Sequence, residues 1–309
     1  MNDVSFDFCI EICSMLSESD LKTLVLEEAT NWKHACESYN DRCLQLSISI
    51  GPTEGGEGSW SFQVELLNAD SDDEEPPCGL EELSKTNFRY VKFEQVILEP
   101  LSSLHDESVH EISTKNVFHK LLPCVMRSLS NNANFILRRC WSAEEESVIG
   151  RIMEQLRNST VFSNLQIYYN GQASENFLAA QLNFGRVDEV ELTGPWNESP
   201  SVHAFLESFI QMPHFYRLAM APGCKVETDK LFYTFFQRWF ENNQANSGGR
   251  ELSGPCSVTM KHFENLSKEF VERRNNLKCT WKRGELTLTC EINNGWLHAK
   301  VQECRFSRN

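Results

Sequence analysis

"VDEVELTG", residues 187–194, alternates apolar Val190 and Leu192 with polar Glu189, Glu191 and Thr193. That period of two predicts a strand with one buried face. Matching apolar pairs occur at Phe135/Leu137, Leu165/Ile167 and Leu218/Met220, and successive pairs lie 30, 25 and 28 residues apart. Amphipathic stretches such as "AEEESVIGRIMEQLR" and "SVHAFLESFIQM" stand between them. One strand and one helix per unit, at a period of roughly 20–30 residues, marks a repeat of the leucine-rich kind, because each unit buries its apolar pair only by stacking on a neighbour. "ELTGPW" at Glu191 is echoed by "ELSGPC" at Glu251. The units lack a regular asparagine ladder, and a doubly wound parallel sheet would produce similar spacing, so both architectures stay open.

Working outward, "FRYVKFEQVIL", "NFILRRC", "NLQIYY" and "FYRLAMA" read as further strands, and "NVFHKLLPCVMRSL", "DKLFYTFFQRWFEN" and "MKHFENLSKEFVERR" as helices. In "LFYTFFQRWF" the recurrence of Phe232, Phe235, Phe236 and Phe240 predicts core packing, with Trp239 part-exposed. "LQLSISIG" and "WSFQVELL" predict two strands near the start. The acidic run that follows, residues 68–83, predicts a solvated loop. Near the C-terminus "NNG" separates two alternating runs, which predicts a β-hairpin able to cover the last sheet edge. The expected fold class is α/β: a helical segment over residues 1–43, then an irregular strand–helix solenoid over 44–309 ending in a hairpin.

The formal charge is −15, and residues 1–150 hold 27 acids against 11 bases. Such a chain repels phosphate backbones, so nucleic acid is not an expected partner. No uninterrupted apolar run approaches a membrane span, and Asp7 and Glu11 interrupt the opening apolar stretch where a signal peptide would need continuity. Of the 12 cysteines, Cys9, Cys13, Cys36, Cys124 and Cys290 sit in apolar periodic segments, and the set reads as free thiols in a reducing compartment, cytoplasm or nucleus. In that compartment the glycosylation triplets at Asn158, Asn197 and Asn265 are chance matches.

No catalytic constellation is evident. "GPTEGGEG" is Gly-rich but acidic, unlike a phosphate-binding loop. No Gly-x-Ser-x-Gly elbow and no His-Glu-x-x-His occurs. His105 and His110, beside Asp106 and Glu107 on an expected loop, make a poor metal site. No enzyme activity, cofactor or metal is expected.

"VSFDFCIEICSMLSESDLKTLVLEEATNWKHA", Val4 to Ala35, reads as three short helices. Phe8, Ile12, Met15 and Leu16 share one helical face; Leu21, Leu24 and Val25 line a second helix; Trp32, Ala35, Cys36 and Tyr39 line a third. Ser17 and Asp20 have the spacing of a capping box. About 40 residues cannot bury three amphipathic faces alone, so this segment needs a cover, either its own downstream domain or another protein.

The segment resembles an F-box, the three-helix motif that docks substrate receptors onto the Skp-type adaptor of cullin–RING ubiquitin ligases. Val4 stands at the family's leading Leu position and Ser5 where Pro is usual. Ile12 and Leu16 stand at apolar positions of the first helix, Asp20-Leu21 at the break, and Trp32 at the aromatic position. An F-box-like start followed by an α/β repeat domain resembles the F-box-associated families expanded in nematodes. The resemblance implies a non-catalytic substrate-recognition subunit that meets the adaptor through Val4, Phe8, Ile12, Leu16, Leu21, Leu24 and Trp32. Its target, a protein of unstated class, would meet the polar strand positions Asn164, Gln166, Glu189, Glu191 and Arg217. The competing expectation is a leucine-rich-repeat-like scaffold with no ligase link, whose first helices serve as an end cap. A third is an α/β enzyme with a pocket that the sequence hides.

Overall fold

The computed structural model describes residues 4–16, 18–25, 30–53, 59–67, 79–85, 88–101, 108–139, 142–158, 160–241, 249–257, 259–263, 266, 272–275, 278–283 and 286–303. The fold is mixed α/β. It divides into two compact units, Met1–Asn164 and Leu165–Asn309.

The first unit opens with α1 (Phe6–Met15), α2 (Glu18–Val25) and α3 (Thr30–Asn40). Ser5 is the N-cap of α1, its hydroxyl accepting from the Phe8 N–H at 3.4 Å. Ser17, the expected cap of α2, lies outside the described residues. Strands β1 (Leu44–Pro52) and β2 (Trp60–Leu66) follow as an antiparallel pair. Residues 68–78 of the expected acidic loop lie outside the described residues. Its end is helical instead, as α4 (Leu80–Lys85), because Leu83 is fully buried and the Glu82 carboxylate accepts from the Gly79 N–H at 3.2 Å. A 3-10 turn (Phe88–Tyr90) leads into β3 (Val91–Leu98), and β4 (His110–Ile112) pairs antiparallel with β2. His110 therefore belongs to a strand rather than a loop, its ring 5.6 Å from that of Phe62. A continuous helical stretch follows: α5 (Thr114–Asn116), a π turn (Val117–Leu121) and α6 (Leu122–Arg127). β5 (Leu129–Leu137) and α7 (Ala143–Arg157) complete the unit, with Ser142 and Glu145 forming a reciprocal capping box. The strand order is β5-β3-β1-β2-β4, parallel across β5-β3-β1. Ile48, Ile50, Phe93, Val96 and Phe135 fill its core.

The second unit begins with β6 (Asn164–Tyr168), α8 (Gly171–Phe184), β7 (Glu189–Thr193), α9 (Pro200–Gln211), β8 (Arg217–Met220), α10 (Thr228–Glu241) and β9 (Glu251–Pro255). Strands β7, β8 and β9 are parallel and in register, Val190 and Leu192 lying beside Leu218 and Met220. These apolar positions are almost wholly buried, as is Leu252. Helix α8 packs on α9 and α9 on α10, so the helices cover the apolar face side by side. The opposite face carries Glu189, Glu191, Arg217 and Glu251, each left part-exposed. Sequence periodicity did not reveal α8, whose buried positions include polar Ser174 and Gln181.

In the stretch from Met260 to Arg274 the described residues do not form the expected helix, and residues 264, 265 and 267–271 lie outside the described residues. Its described elements are a 3-10 turn (Met260–His262) and β10 (Glu272–Asn275), which pairs with β11 (Lys278–Arg283). The expected hairpin does form: β12 (Leu286–Asn293) and β13 (Trp296–Glu303) join through Asn294 and Gly295 at φ 50 and 74. β13 pairs antiparallel with β9 and so covers that edge. Two expectations for α10 are corrected. Trp239 is 5% exposed and belongs to the core, whereas Phe240 is 40% exposed. The core face runs through Phe232, Phe235, Phe236 and Trp239, and Phe240 lies one turn beyond Phe236 at the solvent margin, stacked on that ring.

Candidate partner-binding surfaces

Helices α1, α2 and α3 enclose a small core of their own: Cys9, Ile10, Cys13, Leu21, Ala35, Cys36 and Tyr39. Cys13 and Cys36 meet at the α1–α3 contact with their Sγ atoms 3.5 Å apart. Short thiol side chains let the two helices approach closely, so the inward face of α1 is Cys9–Ile10–Cys13. Of the face picked out by periodicity, Phe8, Ile12 and Met15 point elsewhere, while Leu16 at its edge packs against this core. Phe8 is 49% exposed and Met15 64%, and Ile12 is half-buried; Phe6, 44% exposed in the first turn, lies on another side of the helix.

The remaining expected docking residues divide into two groups. Leu21 is buried in the trio's own core. Val4, Leu16, Leu24 and Trp32 pack half-buried around the margin of that core, together with Cys43 and Tyr90. Both ring and polar contacts seat the trio on its own unit, with the Tyr39 and Tyr90 rings 6.0 Å apart. Lys92 Nζ donates to the Leu16 carbonyl at 2.8 Å, and Asn131 Nδ2 to the Met15 carbonyl at 2.8 Å. These bonds satisfy carbonyls at the C-terminal end of α1. Arg89 pairs with Glu11 at 2.9 Å and lies 3.6 Å from Asp7.

Burial raises the thiols of the cluster. Cys13 is pushed up to about 12, first by desolvation and then by its contact with Cys36, and Cys9 is raised by the same burial. Tyr39 is raised too, chiefly by burial and then by the Cys43 thiol that donates to its hydroxyl at 3.3 Å. Neutral thiols of this kind are poor nucleophiles and pack as small hydrophobes.

A second surface is the helix-free face of the β7–β8–β9 sheet. Arg217 stands in register between Glu189 and Glu251. Its guanidinium lies 3.9 Å from Glu189, 3.7 Å from Glu191 and 3.9 Å from Glu251. Glu251 in turn meets His298 at 3.2 Å and Lys300 at 3.8 Å. Gln166 Nε2 donates to Glu191 at 3.4 Å. Four of the expected target-face residues, Gln166, Glu189, Glu191 and Arg217, thus share one polar face. Asn164 donates instead to Asn134 Oδ1 at 2.6 Å. Glu251, His298 and Lys300 were missed in the sequence. The echo of "ELTGPW" in "ELSGPC" already set Glu251 at a position equivalent to Glu191 and could have found it.

An open groove of about 490 Å³ lies in the first unit, lined by Ser59, Trp60, Glu111, Ile112, Ser113 and Thr114. It brings together hydroxyls and one carboxylate, with no histidine or cysteine in the lining to act as base or nucleophile. Among the described residues no group of three His, Cys, Asp or Glu side chains is arranged to hold a metal ion, and no helix is long and apolar enough to cross a membrane. The described cysteines are free thiols. Comparison with protein-family models, with curated proteins and with solved structures found no match to this chain.

Proposed function

We propose that this protein is a substrate-recognition subunit of a cullin–RING ubiquitin ligase that docks on a Skp-type adaptor through its N-terminal helices. The observation that carries the reading is the outward face of α1. Phe8 and Met15, two turns apart on that face, stand in solvent while the trio fills its own core with other residues. Leaving Phe8 and Met15 about half in water forgoes roughly 1–2 kcal/mol per side chain, which a protein partner would recover on covering them. Half-buried Ile12 and Trp32 extend the apolar character of the trio.

The mechanism under this reading is non-covalent. The adaptor holds the α1 face, a target occupies the polar sheet face around Arg217, and the ligase raises the target's effective concentration near the charged conjugating enzyme. The helices lying side by side on one face of the β7–β9 sheet, with the other face open, support a leucine-rich-repeat-like solenoid over a sheet covered on both faces. The reading implies a cytoplasmic or nuclear protein.

Co-purification with a Skp-type adaptor tests it. A Phe8→Glu, Met15→Glu double variant changes only exposed side chains and should fold normally by circular dichroism yet lose the adaptor. Undiminished association of that variant would overturn the assignment of the docking face.

The second reading, a free-standing repeat scaffold with α1–α3 as an end cap, draws support from the Lys92, Asn131 and Arg89 bonds that tie the trio to its unit. Deleting residues 1–43 separates the two. Loss of a cap should destabilise or aggregate the remainder, whereas loss of a docking module should leave it soluble and folded.

A further inference from the structure

We infer that the turn at the C-terminal end of α9 holds a small oxyanion of the phosphate class between Arg238 and Arg250. The inference stands independently of the docking reading. Arg238, on α10, is 8% exposed. Its guanidinium donates to the Ile210 carbonyl through Nη1 and lies over the ring of Phe215 at 5.6 Å, while its buried Nε–H has no partner. Arg250, just ahead of β9, donates through Nη2 to the Pro213 carbonyl at 3.1 Å. The two acceptors are three residues apart, which brings both guanidinium groups to the same turn.

No carboxylate among the described residues offsets this pair. Burial and the neighbouring Arg250 lower Arg238 to about 10, and burial lowers Arg250 as well. Both groups remain charged at pH 7. Asp188 interacts through its carboxylate with His214 rather than with either arginine. Residues 242–248, which connect α10 to Arg250, read "NNQANSG" and contain no acid. The chain has 44 acidic residues, yet none of the described ones stands against these two partly buried cations.

The carbonyls at the end of α9 compensate part of this charge. A guanidinium carries five N–H donors, however, and each arginine commits one to those carbonyls. A buried cation without an anion is strongly unfavourable. Two forked donors suit a tetrahedral oxyanion, and one dianion neutralises both charges. The depth of Arg238 suits a small free ion, which would enter from the half-buried Arg250 side.

The test is thermal unfolding of the full chain in inorganic phosphate, sodium chloride or sodium acetate at matched ionic strength. Phosphate at about ten times its dissociation constant should raise Tm roughly 2–4 °C beyond chloride. Arg250→Gln should remove that excess while keeping the circular dichroism spectrum. Arg238→Met, similar in volume, should also lose the excess, and without phosphate its Tm should equal or exceed that of the parent chain. Equal Tm in phosphate and chloride, an undiminished excess in Arg250→Gln, or an acetate response matching phosphate would each overturn the assignment.

Discussion

Glu251 faces Arg217 in register across β8 and β9, with Oε1 and Nε 3.9 Å apart, and the same carboxylate reaches Lys300 on β13 at 3.8 Å. Positions 189, 217, 251 and 300 therefore alternate negative and positive across four adjacent strands. Reversing one charge should be felt along the whole row. Arg217→Glu gathers four carboxylates and should destabilise the chain by about 1 kcal/mol at low salt. Urea unfolding at about 0.02 M and about 0.5 M salt should show most of that loss screened in the second condition. A loss independent of salt would mean that packing, rather than charge, is at stake.

The buried thiols make stability depend on alkaline pH. Cys13 is raised from 9.0 to about 12, so the neutral thiol favours the folded state fully below pH 9. That contribution is lost as pH rises from 9 toward 12, because only the unfolded chain ionises easily. Cys13→Ala should flatten the alkaline limb of a stability–pH curve and cost about 1 kcal/mol at neutral pH through lost packing. In the parent chain the Cys13 thiol should react slowly with a disulfide reagent at pH 8 until urea is added.

Gly254 on β9 has no room for a side chain. A Cβ there would lie 2.4 Å from Thr228 Oγ1 and 2.7 Å from Met220 Cε, at the start of α10. Gly254→Ala should destabilise by about 1–3 kcal/mol, seen as a lower urea midpoint with an unchanged slope.

Trp196 follows β7, fully buried, with its indole N–H donating to the Ile167 carbonyl at 3.1 Å and its ring meeting Tyr169 edge-on at 5.1 Å. Trp196→Phe keeps an aromatic ring but leaves that carbonyl short of a donor. The expected cost is about 1–3 kcal/mol. Chemical denaturation of the purified variant would measure it.

The strands and helices of the second unit were largely legible because Val190/Leu192 and Leu218/Met220 repeat a pattern that backbone geometry imposes locally. The hairpin was legible for the same reason, since Asn294 and Gly295 tolerate the left-handed backbone that a tight turn demands. Helix α8 escaped notice because its buried positions include polar Ser174 and Gln181, which break the apolar period; Ser174 is satisfied by the Tyr168 carbonyl and the Asn170 N–H. The reading of Glu272–Arg274 as helical failed because its strand state depends on pairing with β11 rather than on its own pattern.

The amino-acid order alone determined where the chain alternates, where it turns and which residues are greasy, since those properties reside in short stretches. Which face of α1 turns inward was decided by tertiary packing. Cys9 and Cys13 occupy the tight contact with α3 because their small side chains fit there, and the larger Phe8 and Met15 are left outside. The company of Arg217 was likewise a tertiary outcome, because cross-strand register brings together Glu189, Glu251 and Lys300 from distant parts of the chain.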